Sequence, residues 1–428
     1  MREIPFTELL SHIADNRGRT CPTAPSGRPL IATNCISNND LYPSYETERY
    51  VSDETYRTWF RAHPLPGDII FVCKGSPGRV ALAPDPVDFC IAQDMVAVRA
   101  DESRVYPKYL FAALRSQVVQ DRINNMHVGT LIPHFKKGDF DKLQIPLPDR
   151  NVQEFIGDTY FELSEKIEQN RRTGRALEGL ARATFKAWFV DFEPVKAKAA
   201  GQTSFPGLPP AAFAALPDRL TDSPLGPVPQ GWGVGTMGDV GEQRREQVAP
   251  GEVHGETPYI GLEHMPRRDI TLSSWGVAAS VTSSKFRFRR GDILFGKLRP
   301  YFHKVGPAPL GGVCSTDVVV LFPKKVEYGA WLLMLVSSDE FVAHTDRSSA
   351  GTKMPRTNWK DMATFPVALP PASMTTAYQN QVGPMLDMIE VGIHESSKLA
   401  ALRDYLLPRL LSGRVRVREA EKRVEDIA

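Results

Sequence analysis

Two long segments of the chain carry hydrophobic residues at helical spacing. In the first, from about residue 152 to 192, apolar or small side chains recur in steps of three, four and seven, which is typical of the seam of a coiled coil. Asn170 lies on this stripe, as a polar residue of the kind that fixes helix register. A length of about 40 residues, against a mean near 12 for helices, favours pairing with another helix over packing on its own domain alone. The predicted seam includes Ile156, Leu163, Ile167 and Leu177.

The second segment carries a less regular stripe in the last part of the chain. Ser412-Gly413 is typical of a helix end, and Pro384 is predicted to lie in the first turn or to kink the helix. Two long helices with one hydrophobic stripe each are expected to pack on each other, as an antiparallel pair joining two globular lobes. The predicted seam of the second helix includes Ile389, Ile393, Leu399 and Leu402.

The chain also repeats itself, and each copy consists of a strand-rich region followed by a helix. The Gly-Asp pairs each precede a hydrophobic run, which predicts a turn followed by a buried strand. The matching pairs are residues 129–149 with 351–371, the Gly-Asp turns at 67–68 with 291–292, and residues 90–98 with 314–322.

Between the two halves, residues 193–232 are rich in Pro and Ala, which predicts a semi-extended linker with few core residues. The expected fold is therefore α+β. Two strand-rich α/β domains are separated by two long helices that form an antiparallel coiled coil, with an internal pseudo-twofold repeat.

Residues 291–297 match the G-x-x-x-x-G-K pattern of a phosphate-binding loop, but their surroundings do not support one. Leu298 stands where that loop needs Ser or Thr to hold magnesium. A phosphate-binding loop also continues directly into a helix, whereas Pro300 and Pro307 follow here. We predict a turn, a strand and a basic loop instead.

Composition limits the function without choosing it. The 428 residues favour two or three domains, and a net charge of +2 neither requires nor excludes a nucleic-acid partner. The five cysteines are scattered and the nine histidines form no H-x-x-x-H pair, so neither a disulfide framework nor a metal site is predicted. Without a signal-peptide pattern or a run of about 18 apolar residues, a cytoplasmic protein that does not enter the membrane is expected.

The sequence offers little catalytic machinery. It has no Asn/Asp-Pro-Pro-Tyr/Phe motif for adenine methylation. An enzyme interpretation depends on Cys73 or Cys314 as nucleophile and His134 or His303 as base, and nothing in the sequence places them together. We predict no catalytic residues in this chain.

Several stretches of the sequence resemble the specificity (S) subunit of type I restriction–modification systems. The resemblance covers nearly the whole chain. It is specific in the helices and the linker and looser in the two lobes, which in this family differ with the DNA sequence recognised. The stretches that carry it include "IPLPD", "LPDRLTDSPLGPVPQGW", "GDILFGKLRPYFHKV" and "KLAALRDYLLPRLLSG".

The resemblance implies a division of the chain into six segments. These are a first target-recognition domain (1–148), a first spacer helix (149–195), a Pro/Ala-rich linker (196–228), a second target-recognition domain (229–371), a second spacer helix (372–415) and a tail (416–428).

The resemblance also implies a function without chemistry of its own. Each lobe would recognise one half of a bipartite site in double-stranded DNA, and the coiled coil would set the gap. The subunit would direct two methyltransferase subunits, and restriction–translocase subunits in the full complex, to methylate adenine or cleave DNA. S-adenosylmethionine and ATP would bind these partners. The alternative is a non-catalytic coiled-coil adaptor between proteins, which leaves the two lobes without a role.

Basic residues near glycines are the candidate DNA contacts, because such loops let the backbone approach phosphate closely. The alternative for each of them is ordinary solvated surface charge. Residues 285–290, "KFRFRR", predict a strand with one apolar and one basic face, which either lines the DNA cleft or is an edge strand protected by charge. The candidates are Lys74, Arg79, His134, Lys136 and Lys137 in the first lobe, and Lys297, Arg299, Lys304, Lys353 and Arg356 in the second.

Overall fold

A computed structural model describes residues 2–412, except 17, 19, 46–48, 127–132, 281 and 352–353. The chain divides into two compact units. Unit 1 comprises residues 1–169 and 398–428, and unit 2 comprises residues 170–397. Each unit contains a strand-rich domain together with part of each long helix, so the boundary between units falls inside the helices.

Unit 1 is built around nine strands and three helices that precede the first long helix. The strands are β1 (Arg2–Pro5), β2 (Leu10–Asp15), β3 (Arg28–Ile31), β4 (Tyr50–Val51), β5 (Ile69–Val72), β6 (Val80–Leu82), β7 (Cys90–Ile91), β8 (Met95–Ala100) and β9 (Gln144–Leu147). The helices are α1 (Asp53–Thr58), α2 (Pro107–Arg115) and α3 (Gln117–Met126), and the first long helix is α4 (Arg150–Phe185).

Unit 2 contains the remaining elements and ends in the second long helix. The helices are α5 (Glu193–Ala199), α6 (Pro210–Ala214), α7 (Met237–Val240), α8 (Gly329–Val336), α9 (Asp339–Arg347), α10 (Trp359–Ala363) and α11 (Ala372–Leu411), of which residues 398–411 belong to unit 1. The strands are β10 (Leu220–Thr221), β11 (Val228–Pro229), β12 (Gly233–Thr236), β13 (Gly241–Arg244), β14 (Gln247–Val248), β15 (Pro258–Ile260), β16 (Gly276–Val277), β17 (Lys285–Phe288), β18 (Ile293–Gly296), β19 (Val305–Pro307), β20 (Gly312–Cys314), β21 (Val318–Pro323) and β22 (Pro366–Leu369).

Both units contain the same antiparallel four-stranded sheet. Its strand order is β2-β8-β5-β6 in unit 1 and β13-β21-β18-β19 in unit 2. The strand after each Gly-Asp turn, β5 or β18, is central and buried throughout. Side chains of a strand alternate between its two faces, and in both sheets the two sets enter different hydrophobic cores. The sheet is therefore covered on both sides, which explains why these strands are continuous hydrophobic runs in the sequence.

A second sheet in each unit contains a parallel pair. In unit 1 the order is β4-β3-β7, with β3 and β7 parallel, and in unit 2 it is β14-β17-β20-β15-β16, with β15 and β20 parallel. The predicted α+β class is confirmed, with mixed sheets and two long helices.

The sheet register corrects one part of the predicted repeat. Val72 pairs with Met95 in unit 1, and Gly296 pairs with Val318 in unit 2. Asp94 therefore corresponds to Asp317, and the alignment of residues 90–98 with 314–322 is shifted by one position. The physical reason is that unit 2 has one residue fewer between Gly296 and Val318 than unit 1 has between Val72 and Met95.

A buried aspartate follows the glycine of each Gly-Asp turn. Gly67 and Gly291 have φ of 83° and 84°, a left-handed conformation that glycine adopts without steric cost. The carboxylates of Asp68 and Asp292 are nearly fully buried, and each accepts two hydrogen bonds from one arginine, at 2.8 and 3.0 Å from Arg99 and at 2.7 and 3.1 Å from Arg244. A bidentate ion pair of this kind is what allows a buried carboxylate to remain charged.

The two units supply that arginine from different strands. Arg99 lies on β8, whereas its register equivalent on β21 is Phe322. In unit 2 the arginine comes from β13, and the guanidinium carbon of Arg244 lies 4.6 Å from the ring centroid of Phe322. The repeat thus preserves the buried ion pair and not the position of its cation.

The segment predicted to be a linker is packed in unit 2. Residues 193–199 and 210–214 are helical, and residues 220–221 pair with 228–229. Its apolar residues are spaced irregularly between prolines, so no periodic pattern reveals that they contribute to a core. The buried residues are Val195, Leu208, Phe213, Leu216, Val228 and Trp232.

The first long helix ends earlier than the sequence predicts. It changes at Phe185 into a π-helical turn (Lys186–Val190), and Phe192 then adopts φ of 52°. Trp188, Phe189 and Phe192 are buried in the main core of unit 2. These aromatic residues therefore pack inside unit 2.

The second long helix is continuous over 40 residues. Pro384 lies well inside it and not in the first turn, which corrects that alternative. In unit 2, Asn170 contacts Glu395 and the Tyr378 hydroxyl donates to the carbonyl of Ala181, so the helices run antiparallel. In unit 1, Arg403 of α11 lies beside Ser164 of α4.

Candidate nucleic-acid interface

In unit 1, two basic loops lie side by side at the end of β5. Lys74 forms an antiparallel bridge with His134. The amide of Gly75 donates to the carbonyl of Pro133 at 2.9 Å, and the amide of Phe135 donates to the carbonyl of Cys73 at 2.8 Å. These backbone hydrogen bonds bring together two segments that are about 60 residues apart in the sequence.

The side chains of these loops differ in how free their charges are. Lys74, Arg79 and Lys136 are exposed, and no carboxylate of the described residues forms an ion pair with them. Lys137 differs, because its ammonium lies 2.5 Å from the carboxylate of Asp15. Three of the predicted cations are thus available to a ligand, and the fourth is engaged within the unit.

Unit 2 repeats this arrangement with other residues. Leu298 forms an antiparallel bridge with Arg356, and the amide of Arg299 donates to the carbonyl of Pro355 at 2.8 Å. The amide of Thr357 donates to the carbonyl of Lys297 at 3.1 Å. Leu298 therefore lies in a bridge between two loops and does not enter a helix, so the G-x-x-x-x-G-K pattern belongs to a strand and a basic loop.

The second lobe replaces two glycines of the first by larger residues. Gly75 and Gly78 have φ of 86° and 87°, and their counterparts Arg299 and His303 have φ of 51° and 53°. A residue with a Cβ atom costs about 1–2 kcal/mol in this conformation. Unit 2 therefore holds two residues other than glycine in a left-handed conformation, at the cost of local strain.

The predicted cations of unit 2 are more engaged than those of unit 1. The ammonium of Lys304 donates to the carbonyl of Leu262, and burial lowers its pKa. Arg356 lies 3.2 Å from the carboxylate of Asp317. Lys297 is half-buried, and Lys353 lies outside the described residues.

Lys297 lines a cleft of about 400 Å³ in unit 2. The cleft combines cations, amides and aromatic rings. Of its lining residues, only Lys297 and the strand that carries Phe286 were predicted from the sequence. The repeat is the signal that could have found the others, because they occupy positions adjoining the same two loops. The additional polar and aromatic lining residues are Gln243, Arg245, Asn358, Trp359 and Lys360.

The strand predicted from "KFRFRR" is β17, which lies between β14 and β20. It is therefore not an edge strand. Phe286 and Phe288 pack in one core, and Arg287 on the opposite face forms an ion pair with Glu246 at 2.9 Å. Phe286 also lines the cleft.

The predicted seam residues divide between the two units. In unit 1, Ile156, Leu163 and Ile167 of α4 share a buried core with Leu399 and Leu402 of α11. In unit 2, Ile389 and Ile393 are buried, and Leu177 packs against the same core while half-buried. The side-chain amide of Asn170 donates to Glu395 at 2.7 Å and to Ser396 at 3.2 Å.

The cysteines that an enzyme interpretation would use as nucleophiles, Cys73 and Cys314, are both buried. Burial raises the pKa of the Cys73 and Cys314 thiols to about 12, which disfavours the thiolate. Among the described residues, no three His, Cys, Asp or Glu side chains meet in a group that could hold a metal ion. No described helix has both the length and the hydropathy needed to cross a membrane.

Comparison with known proteins shows what this chain is similar to. Residues 22–178 match the family of the type I restriction modification DNA specificity domain. The HindI type I restriction enzyme specificity subunit of Haemophilus influenzae is 22% identical over 399 residues, covering 82% of this chain and 86% of that protein. The MjaIX specificity subunit of Methanocaldococcus jannaschii is 21% identical over 404 residues, covering 91% of this chain and 87% of that protein.

The fold agrees with this comparison. The crystal structure of the type I restriction–modification S subunit from M. genitalium covers 96% of this chain and 95% of its own, with a TM-score of 0.56 at 16% identity. Residues 22–178 thus match the DNA specificity domain of type I restriction–modification systems, and most of the chain is similar to the specificity subunits of such systems.

Proposed function

We propose that this specificity subunit recognises a bipartite site in double-stranded DNA, with one half bound by each unit. The observation that carries the proposal is the repeated pair of loops: Lys74 beside His134 in unit 1, and Leu298 beside Arg356, with Lys297 adjoining, in unit 2. Cations without a carboxylate partner on such loops suit phosphate contacts, and the polar lining of the adjoining cleft suits contacts to bases.

The remaining parts of the proposal concern partners and rest on the similarity to type I specificity subunits. The subunit directs two methyltransferase subunits to methylate adenine and, in the full complex, restriction–translocase subunits to cleave DNA. S-adenosylmethionine and ATP bind the partners, and the system acts in the cytoplasm. The antiparallel helices set the number of unspecified base pairs between the two halves of the site. At 1.5 Å per residue a helix of 40 residues is about 60 Å long, or at most about 17 base pairs of DNA.

The alternative function is a coiled-coil adaptor that recognises proteins only. The long helices fit both functions. The adaptor offers no reason for unit 2 to hold Arg299 and His303 at positive φ, at the positions where unit 1 has glycine. Backbone strain of this kind concentrates at binding sites.

A map of methylated adenines in the source cell, with and without this gene, tests the proposal. We expect methylation to disappear at one bipartite motif when the gene is deleted and to return when the gene is restored. The map also supplies the target sequence and its gap. An unchanged map, in cells where the partner methyltransferase is demonstrably active, would refute the proposal and favour the adaptor.

A further inference from the structure

The two loops of each unit adjoin one position whose chemistry differs sharply between the units. In unit 1 this position holds Asp15 and Lys137, whose charged groups lie 2.5 Å apart. Cys73 lies beside them, and its thiol is buried. The opposite charges of Asp15 and Lys137 neutralise each other in this ion pair.

Sheet register and loop hydrogen bonds identify the equivalent residues of unit 2. Ile13 pairs with Val98 and Gln243 pairs with Leu321. Arg245, the residue after β13, therefore corresponds to Asp15, the last residue of β2. The bridges from Lys74 to His134 and from Leu298 to Arg356 align the second loops, and Trp359 then takes the place of Lys137. The amide of Phe135 donates to the carbonyl of Cys73, and the amide of Thr357 donates to the carbonyl of Lys297. Lys297 is therefore the counterpart of Cys73.

Unit 2 therefore has two cations and an indole where unit 1 has an ion pair and a thiol. Among the described residues, no carboxylate lies within ion-pair distance of Arg245, Lys297 or Lys360. The cleft that these residues line measures about 400 Å³, with Phe286 and Trp359 as half-buried apolar walls. Gln243 adds an amide, which both donates and accepts hydrogen bonds.

We propose that this cleft binds the edge of a guanine and that Arg245 and Lys297 are specificity-determining residues for the half of the site recognised by unit 2. The proposal rests on the proposed function. Guanine presents two acceptors, N7 and O6, in the major groove, and a guanidinium or ammonium is their commonest partner in proteins. In unit 1 the Asp15–Lys137 pair occupies the equivalent position, so unit 1 does not make this contact.

Three features of the cleft favour a base over a phosphate. Lys297 is half-buried at the end of β18, whereas phosphate contacts need only exposed cations such as Lys74. The aromatic walls suit apolar contact with a base edge, such as the methyl group of a neighbouring thymine. The amide of Gln243 has no described partner and offers an acceptor as well as a donor, which a phosphate could not use fully.

The test selects DNA from a random-sequence duplex library with the intact complex of this subunit and its methyltransferase partner. Arg245→Gln and Lys297→Gln are compared with Lys325→Gln, an exposed lysine of the same unit that does not line the cleft. We expect each cleft variant to lose the preference for guanine at one position of one half-site by about 5- to 150-fold, as befits a bidentate contact. The other half-site and the control variant keep their wild-type preferences.

Two results would overturn the inference. One is an equal loss of binding to all sequences together with a weaker salt dependence, which identifies phosphate contacts. The other is an unchanged preference in both variants. Both leave the proposed function intact, whereas a wild-type complex that selects no bipartite sequence removes the proposed function itself.

Discussion

His303 combines two costs that its unit 1 counterpart Gly78 avoids. It has φ of 53°, and its ring is buried, with Nε2 donating to the carbonyl of Ser337 at 2.9 Å. Burial lowers the pKa of the imidazole, and Arg182 and Arg268 act in the same direction. The carbonyl of Ser337 and the carboxylate of Asp339 oppose these effects without reversing them.

The stability of unit 2 should therefore decrease in mild acid. The unfolded histidine takes up its proton near pH 6.5, while the folded one stays neutral to a lower pH, so the unfolded state binds more protons in between. Asparagine tolerates positive φ and does not titrate. We therefore expect the free energy of unfolding of His303→Asn to fall less between pH 7.5 and pH 5.5 than that of the wild type. Denaturant titrations at the two pH values measure this loss. His254→Asn, at an exposed position, is the control, and an equal pH dependence in both variants would contradict the prediction.

At the scale of elements, the helices depend on contacts that their periodicity does not reveal. Gly157 lies on α4 where the helix passes the backbone of α2 within unit 1. A Cβ atom at this residue would lie 2.6 Å from the amide nitrogen of Tyr109. Gly179, further along the same helix, has no heavy atom within 4 Å of an added Cβ. Two glycines with the same helix propensity thus face opposite surroundings.

The pair gives a matched test. We expect Gly157→Ala to destabilise the chain by about 1–3 kcal/mol, because the extra methyl group forces the helices apart. Gly179→Ala should instead stabilise it by up to about 1 kcal/mol, because alanine is the better helix former. Denaturant unfolding of the full chain measures both. Stabilisation by both alanines would show that the contact with α2 gives way easily.

At the scale of the whole molecule, the small net charge of +2 does not show which cations lack a carboxylate partner. Many basic side chains of unit 1 are neutralised locally, as Arg104 is by Glu8 and Asp101. Lys74 and Lys136 have no such partner among the described residues. Electrostatic attraction to DNA therefore depends on a small set of loop residues and not on the average charge.

We expect Lys74→Gln and Lys136→Gln to weaken binding to all DNA sequences alike. Each lost phosphate contact should reduce the slope of log binding constant against log salt concentration by about 0.9. Titrations of the complex with duplex DNA at several salt concentrations measure the slope. Arg104→Gln is the control and should leave it unchanged. A loss confined to one DNA sequence would instead assign these lysines to base contacts.

Much of the fold and part of the site could be predicted from the sequence. The seams of α4 and α11, the Gly-Asp turns and the strands after them follow from hydrophobic periodicity, which local residues determine. The packing of residues 193–232 could not be predicted, because the apolar residues of this segment are not spaced at any regular period. The position of Arg245 beside Lys297 also could not be predicted, since it depends on strand register.

The sequence by itself determined the repeat, the α+β class and the resemblance to type I specificity subunits, because these depend on residue patterns that can be read along the chain. Only the tertiary structure decided which charges are available. Lys137 and Arg245 look alike in the sequence, yet the first is paired with Asp15 and the second lines an open cleft. The physical reason is that an ion pair forms between residues brought together by folding, and distance in space bears no fixed relation to distance along the chain.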